Sequence, residues 1–268
     1  MRTEVITSNQ NPKIKNLLLL QEKSKARREQ GLFVVEGRRE LEHCLEAGYT
    51  VRTVFVCPEI ARWPVGAGHD EAVIPGLTGD LIEIPETVYR KVAYRESTEG
   101  IIAEVECKSL TLEDLRLPEN PLIMVLESVE KPGNLGAVLR SADAAGADAV
   151  LICDPLTDLY NPNLIRASIG AIFTVPTVAC SSADAIAFLQ AKGIQILTAQ
   201  LQDSSFYYEV DMRRGTALVM GTESTGLTSA WRKAASAHIR IPMLGRLDSL
   251  NVSVSAAILL FEAVRQRQ

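Results

Sequence analysis

From residue 121 onward the chain alternates between short runs that are apolar at nearly every position and segments with helical spacing. The apolar runs are 122–126, 149–153, 173–178, 194–199, 217–220 and 239–243. A strand with one wet face alternates apolar and polar residues, whereas a strand that is apolar throughout is covered on both faces. Joined by helices, such strands form a parallel sheet with helices on each side. Helices are predicted at 135–145 (Asn134 as N-cap, Gly146 behind), near 161–169, at 182–191 before Gly193, at 227–235 and from Val252 onward. In the last of these, Val252, Ala256, Leu259, Leu260 and Ala263 recur at helical spacing, with Ser249 or Asn251 as the cap. The strand at 239–243 opens into a polar loop holding Gly245, Asp248, Ser249 and Asn251. Ligands of α/β proteins commonly bind where a strand end, an open loop and a helix start meet.

The first part of the chain has a different texture. Residues 9–30 read as a helix, with Asn9 as a possible cap and Ile14, Leu17 and Leu18 as its apolar stripe. The run Lys23-Ser-Lys-Ala-Arg-Arg falls on its exposed side. A strand at 32–35, a helix at 36–47 closed by Gly48, a strand at 51–56, strands at 81–84 and 101–105 and a short helix near 85–92 complete a small α/β unit of about four strands. The Gly- and Pro-rich stretch 58–80 reads as a short helix plus loops, and 94–100 as a loop. Strand patterning stops after 108 and two prolines, Pro118 and Pro121, follow. The expected organisation is a small α/β domain at 1–108, a linker at 109–120 and a parallel-sheet domain at 121–268.

Five cysteines are scattered with no C-x-x-C pair and the three histidines stand apart, so neither a metal site nor a disulfide framework is expected. No apolar run is long enough to cross a bilayer, and the start of the chain has no secretory leader. Reduced buried thiols in a cytoplasmic protein are the expectation. The net charge of −5 does not mark a nucleic-acid binder, but its distribution is uneven. Residues 1–40 hold nine Lys/Arg against five Glu, a local +4, which leaves −9 for the rest. A basic first segment on an acidic body suggests a local contact with an anionic partner, or else a solvated helix face.

Two familiar nucleotide signatures are missing. The first strand–helix turn reads Lys131-Pro-Gly-Asn-Leu-Gly136, not G-x-G-x-x-G. Residues 221–228 have the glycine spacing and final threonine of a phosphate loop, yet Leu227 stands where the phosphate-binding lysine belongs. Glu223 in that loop would repel a triphosphate. ATP or GTP hydrolysis is therefore rejected, and a neutral or cationic cofactor suits the loop better.

Three segments in order carry a more specific resemblance: Asn134-Leu-Gly-Ala-Val-Leu-Arg140, then Ala217-Leu-Val-Met-Gly-Thr-Glu-Ser-Thr-Gly-Leu227, then Ile241-Pro-Met-Leu-Gly followed by Ser249-Leu-Asn-Val-Ser-Val254. They resemble the three motifs of the SpoU/TrmH family of RNA ribose 2′-O-methyltransferases. The likeness covers residues 121–268. The earlier part, including Phe33-Val-Val-Glu-Gly-Arg-Arg-Glu40, resembles more loosely the substrate-binding domain that often precedes this catalytic domain.

The resemblance implies a C-terminal domain with a deep trefoil knot, a feature no periodicity could reveal and one that is very rare among folds. It implies S-adenosylmethionine as cofactor, held by Thr198, Ala199, Gln200, Gly221, Ile241, Met243, Leu250 and Asn251. It implies a catalytic set of Asn134, Arg140, Glu223, Ser249 and Asn251, with Arg140 acting on the ribose 2′-hydroxyl. Arginine is almost always protonated, so stabilising the nascent alkoxide is as plausible a role as that of base. Taken singly, Gly221 also reads as a tight turn, Asn134 as a plain cap and Arg140 as an exposed helix residue. Lys13, Lys25, Arg28, Arg38, Arg39 and Arg166 are candidate RNA contacts, through backbone and shape rather than sequence. The implied partner is structured RNA, ribosomal favoured over transfer, with the enzyme working as a homodimer and without metal or membrane. The competing readings are an RNA-binding protein that keeps the fold without the chemistry, and a generic nucleotide-binding α/β enzyme. Calorimetric titration separates the last of these: S-adenosylmethionine or its demethylated product should bind, and NAD and ATP should show no comparable affinity.

Overall fold

The computed structural model describes residues 3–61, 79–94, 99–222 and 224–268. They form two compact units, one made of residues 1–108 with 160–170, the other of 109–159 with 171–268. The predicted loops at 58–80 and 94–100 fall largely outside the described residues, which exclude 62–78 and 95–98.

The first unit is a mixed five-stranded sheet. Its strands are β1 (Thr3–Val5), β2 (Leu32–Glu36), β3 (Val51–Val56), β4 (Asp80–Glu83) and β5 (Ile101–Glu106), in the order β1-β4-β3-β5-β2. β1 was not expected: three residues are too few for a period to register, and only pairing with β4 makes them a strand. The helix expected over 9–30 is two helices, α1 (Pro12–Glu22) and α2 (Ser24–Gln30), and the cap is Asn11 rather than Asn9. The break at Lys23 has a physical cause. Arg27 is buried, and its Nη1 donates to the carbonyls of Leu20 (2.6 Å) and Gln21 (3.1 Å), groups that the end of α1 leaves open. Ala26 and Arg27 are therefore not on an exposed side, contrary to the sequence reading. Ile14, Leu17 and Leu20 pack with Phe55, Ile82, Val88 and Tyr89 to form the core of this unit. α3 (Arg38–Glu46) and α4 (Glu86–Val92) complete its first stretch. The unit also takes in α6 (Pro162–Ser168), where Tyr160 stacks on Phe33 with centroids 4.2 Å apart. A cut at residue 108 would strip 160–170 of that packing.

The second unit is a seven-stranded parallel sheet. Its strands are β6 (Leu122–Glu127), β7 (Ala149–Cys153), β8 (Thr177–Cys180), β9 (Gln195–Ala199), β10 (Ser205–Phe206), β11 (Thr216–Met220) and β12 (Ala237–Arg240). The order is β10-β12-β9-β11-β6-β7-β8. From β6 the chain moves outward through α5 (Pro132–Ala144) to β7 and then β8. It then returns through α8 (Ser182–Ala191) to the other side, laying down β9, β11 and, after α9 (Ser229–Ala234), β12. The direction reverses between β6 and β11, and such a switch point opens a crevice at the carboxyl ends of the strands.

Three expectations change here. Phe173 lies in a short helix, α7 (Ala171–Thr174), and the strand begins only at Thr177, after Pro176. Short apolar runs do not tell helix from strand by period alone. Asn134 is not a cap: Pro132 starts α5 and Lys131 occupies the cap position, which puts Asn134 inside the first turn. The last strand covers 237–240 rather than 239–243.

The closing helix, α10 (Val252–Arg267), packs on α5, β11 and β6 and buries Val252, Ala256, Leu259, Leu260 and Ala263. Its far end is tied down by Arg267. That guanidinium donates to the carbonyls of Met212 (2.9 Å), Asn120 (2.8 Å), Pro121 (3.1 Å) and Arg214 (2.9 Å). Gln266 adds a bond from the Met212 amide at 2.8 Å. Arg267→Ala should therefore lower unfolding stability by about 2–3 kcal/mol, the scale of losing charge-assisted bonds. Chemical denaturation of the full chain, compared with wild type, reads this directly.

Candidate active site

The loops that follow β9, β11 and β12, together with the segment leading into α10, enclose a cavity of about 360 Å³. Its apolar floor is Met220, Leu227, Ile239 and Leu259, all nearly or fully buried. Polar groups ring it, among them Gln200, Thr222, Ser224, Asp248 and Ser249. A volume of this order suits a nucleoside-sized ligand. Arg240 lines the cavity, but its guanidinium bonds the Ser204 carbonyl and lies over the Phe206 ring at 4.6 Å.

Two observations test whether the site fits a nucleoside with a cationic sulfur. A Cβ placed on Gly221 would lie 2.3 Å from the Gly226 carbonyl oxygen and 2.6 Å from the Leu227 nitrogen. Only glycine lets these two backbone segments meet. Gln200 Oε1 is buried and, among the described residues, has no hydrogen-bond partner at the cavity wall, an acceptor waiting for a donor such as an amine. The Gln200 amide hydrogen is already committed to the Ile239 carbonyl at 3.0 Å. An apolar floor, a tight glycine contact and a free acceptor fit S-adenosylmethionine.

A smaller cavity of about 150 Å³ adjoins the first and shares Gly221, Thr222, Ser224 and Val252 with it. Its other wall comes from Val129, Glu130, Lys131 and Asn134 at the start of α5. Here the first and third motifs meet: Asn251 Nδ2 donates to Asn134 Oδ1 at 3.3 Å. Asn251 also caps α10 by accepting from the Ser253 amide at 3.0 Å. One side chain thus starts a helix and ties it to the opposite wall.

The other expected residues fall as follows. Ala199, Gln200, Gly221, Ile241, Met243, Ser249 and Leu250 line the larger cavity. Thr198 does not: it is fully buried in β9, with Oγ1 2.6 Å from His238 Nδ1. Arg140 is exposed on α5 and lines neither cavity. Glu223 lies outside the described residues. Sequence reading missed Thr222, Ser224 and Thr225 as lining residues. Their run reads as a plain polar turn, and its order comes from bonds inside the loop, Thr225 N to Thr222 Oγ1 at 3.0 Å and Gly226 N to Thr222 O at 3.1 Å. Among the described residues no group of His, Cys, Asp or Glu is arranged to hold a metal, and no helix is long and apolar enough to cross a membrane.

All six basic candidates belong to the first unit. Four of them are ion-paired: Lys13 with Glu4 (2.5 Å), Lys25 with Glu29 (3.7 Å), Arg38 with Glu42 (2.6 Å) and Arg39 with Glu40 (3.6 Å). Arg28 is exposed. Arg166 is also exposed; its Nη2 donates to Asn163 Oδ1 at 3.2 Å, and its guanidinium lies over the Tyr94 ring at 5.3 Å.

Fold and site together define an α/β enzyme that holds a nucleoside-sized ligand among strand-end loops rather than on a glycine fingerprint. Comparison with known proteins makes this specific. The SpoU rRNA methylase family model matches residues 121–261, and the MRM3-like substrate binding domain model matches 11–103. The chain belongs to the SpoU rRNA methylase family, and its second unit has the trefoil-knotted architecture of that family. It is 30% identical to the 23S rRNA (guanosine(2553)-2′-O)-methyltransferase RlmP of Bacillus subtilis (strain 168), over 96% of this chain and 97% of the relative. A crystal structure of an RNA 2′-O ribose methyltransferase is 41% identical, with a TM-score of 0.82 and coverage of 98% of this chain and 99% of that one. The AdoMet-bound rRNA methyltransferase from Sinorhizobium meliloti is 29% identical, with a TM-score of 0.86 and coverage of 98% of both chains.

Gly221→Ala tests the larger cavity. The added methyl meets backbone rather than a flexible side chain, so the loop must move. Affinity for S-adenosylhomocysteine should fall by at least about tenfold, a loss of about 1.4 kcal/mol, and the melting temperature should fall with it, because the shift moves backbone beside buried Leu227. Titration calorimetry and a thermal scan on the same sample read both.

Proposed function

We propose that this chain transfers a methyl group from S-adenosylmethionine to a ribose 2′-hydroxyl of ribosomal RNA. The observation that carries the reading is the pair of adjoining cavities with one shared wall at Gly221, Thr222 and Ser224, bridged by Asn134 and Asn251. A two-substrate transfer needs such neighbouring seats, because holding both reactants in place removes much of the entropic barrier. Bound S-adenosylmethionine supplies an electrophilic methyl group on a sulfonium. Ribosomal rather than transfer RNA is favoured because RlmP of Bacillus subtilis, matched along nearly its whole length, is a 23S rRNA methyltransferase.

In this reading Ala199, Gln200, Gly221, Ile241, Met243 and Leu250 hold the cofactor. Thr198 contributes by fixing the end of β9 through its bond to His238. Asn134 and Asn251 orient the ribose at the smaller cavity, and Ser249, on the larger one, orients the methionine end of the cofactor. Arg140 faces the developing alkoxide and the neighbouring phosphate once RNA is bound, and Glu223 orients it. As the 2′-oxygen loses its proton, the fixed positive charge of Arg140 offsets the charge that builds there. Lys13, Lys25, Arg28, Arg38, Arg39 and Arg166 hold RNA backbone on the first unit, where phosphates would compete with the carboxylates now paired to four of them. The enzyme works in the cytoplasm as a homodimer. Val254 and Phe261, two turns apart and half exposed on α10, support an apolar contact with a second copy.

Arg140 gives the direct test. Arg140→Ala removes an exposed side chain from a helix and adds a good helix former, so fold and cofactor affinity should hold. Single-turnover methyl transfer at saturating cofactor should fall by about 10²–10³, the usual loss for one charge-stabilising donor. Arg140→Lys keeps the charge and loses the planar fork, so substantial rescue would mark simple charge stabilisation. Near wild-type transfer by Arg140→Ala would remove the residue from the mechanism.

A further inference from the structure

Glu127, the last residue of β6, is buried to 2% exposure and belongs to none of the three motifs. Both carboxylate oxygens accept from one residue, Oε2 from the Thr228 amide at 2.8 Å and Oε1 from Thr228 Oγ1 at 2.7 Å. Ser182 Oγ lies 3.2 Å from Oε1, but its single proton goes to Asp154 Oδ2 at 2.6 Å, and Trp231 Nε1 donates to that same Oγ at 3.0 Å. Thr228 is thus the bidentate partner of a carboxylate buried at the end of the central strand. Burying a carboxylate is costly unless its oxygens are occupied, so this contact is not incidental.

Thr228 directly follows Gly226 and Leu227, which pack against Gly221, and Gly221, Thr222 and Ser224 belong to the wall shared by the two cavities. The front of the 221–227 loop is fixed by the ladder, where Val219 and Met220 of β11 register with Val125 and Leu126 of β6. The back is fixed by Glu127, the next residue along β6. One strand therefore holds both ends. Between them Gly221 is pressed against Gly226 and Leu227 with no room for a methyl group. Lengthening the span at Thr228 would pull Gly226 and Leu227 away from Gly221 and open the cofactor cavity along that wall.

We propose that Glu127 is a positioning residue for the methyl-donor site, acting through Thr228 to hold Gly226 and Leu227 against Gly221. This rests on the cofactor assignment made above. Glu127→Gln keeps an acceptor for the Thr228 amide and turns an NH2 group toward Thr228 Oγ1, which can accept from it, so the two-point contact survives as neutral bonds and loses its charge assistance. In the full chain it should weaken S-adenosylhomocysteine binding about tenfold, the difference between a hydrogen bond to a charged group and a neutral one. Thr228→Val removes only the hydroxyl donor. Thr228 is exposed and makes no side-chain cap bond, so this variant should stay folded and weaken binding by about tenfold, the share of one hydrogen bond to a charged group. The two changes together should cost less than their product, since they break the same contact. Trp231→Phe removes a donor from the Ser182 side of the network, and should lower the melting temperature while leaving the affinity unchanged. Wild-type affinity in both Glu127→Gln and Thr228→Val, or equal weakening by Trp231→Phe, would overturn the positioning role. Failure of the wild-type protein to bind S-adenosylhomocysteine would instead sink the cofactor assignment itself.

Discussion

The packing of α10 on α5 fixes where the chemistry of this protein can happen. α5 carries the first motif and α10 follows the third, and the two segments are more than a hundred residues apart in the chain. Buried Val252, Ala256, Leu259, Leu260 and Ala263 hold the pair against β11 and β6. Each fully buried leucine contributes about 1.5–3 kcal/mol. Polar contacts at the two ends of α10 then remove its freedom to slide. Asn251 caps the near end and reaches Asn134, and Arg267 grips four carbonyls at the far end. The apolar seam supplies the stability, and the polar ends supply the register.

A parallel sheet explains why the cavities lie where they do. Strands covered on both faces leave no room for a ligand except beyond their carboxyl ends. Three such ends, those of β9, β11 and β12, are neighbours around the switch point, so their loops share one crevice. Polar groups in that crevice act in pairs. Gln200 holds its backbone amide to Ile239 while its side-chain oxygen stays free, and Glu127 engages Thr228 from below the loop. Buried polar networks of this kind are stabilising only when every member is satisfied, which makes the unsatisfied oxygen at Gln200 the informative one.

The first unit poses a different electrostatic problem. Its first forty residues carry a net positive charge, yet most of the candidate contacts already sit beside a carboxylate. The three pairs exposed on both sides are worth at most about 1 kcal/mol each, whereas the Glu40 carboxylate opposite Arg39 is buried. A phosphate could therefore exchange for the carboxylate at little cost, and added salt would weaken the resulting contact. Arg27 stands apart, because its charge is spent on the end of α1 and is lost to any partner.

Local pattern was enough for much of the fold. The run of apolar strands announced the parallel sheet, because burial on both faces leaves no polar position to alternate with. The Gly-Thr-x-Ser-Thr-Gly loop and the Ser249–Asn251 segment stood out by composition, and Asn251 proved to be the cap of α10. What sequence missed depended on partners distant in the chain. β1 is a strand only because β4 lies beside it, and α1 ends where Arg27 folds back onto its last carbonyls. Phe173 is helical because chain reversal and Pro176 override its apolar neighbours. Asn134 left the cap position because Pro132 starts the helix earlier, and its bond to Asn251 exists only once α10 is packed beside it. Glu127 gave no signal at all: an acid at a strand end looks like a solvated terminus until Thr228, a hundred residues later, is folded over it. Sequence determined which elements form and where their open loops must gather, since periodicity and turn chemistry are local. Tertiary structure alone decided which loops face each other, because hydrogen bonds between distant residues exist only after the sheet has set their separation.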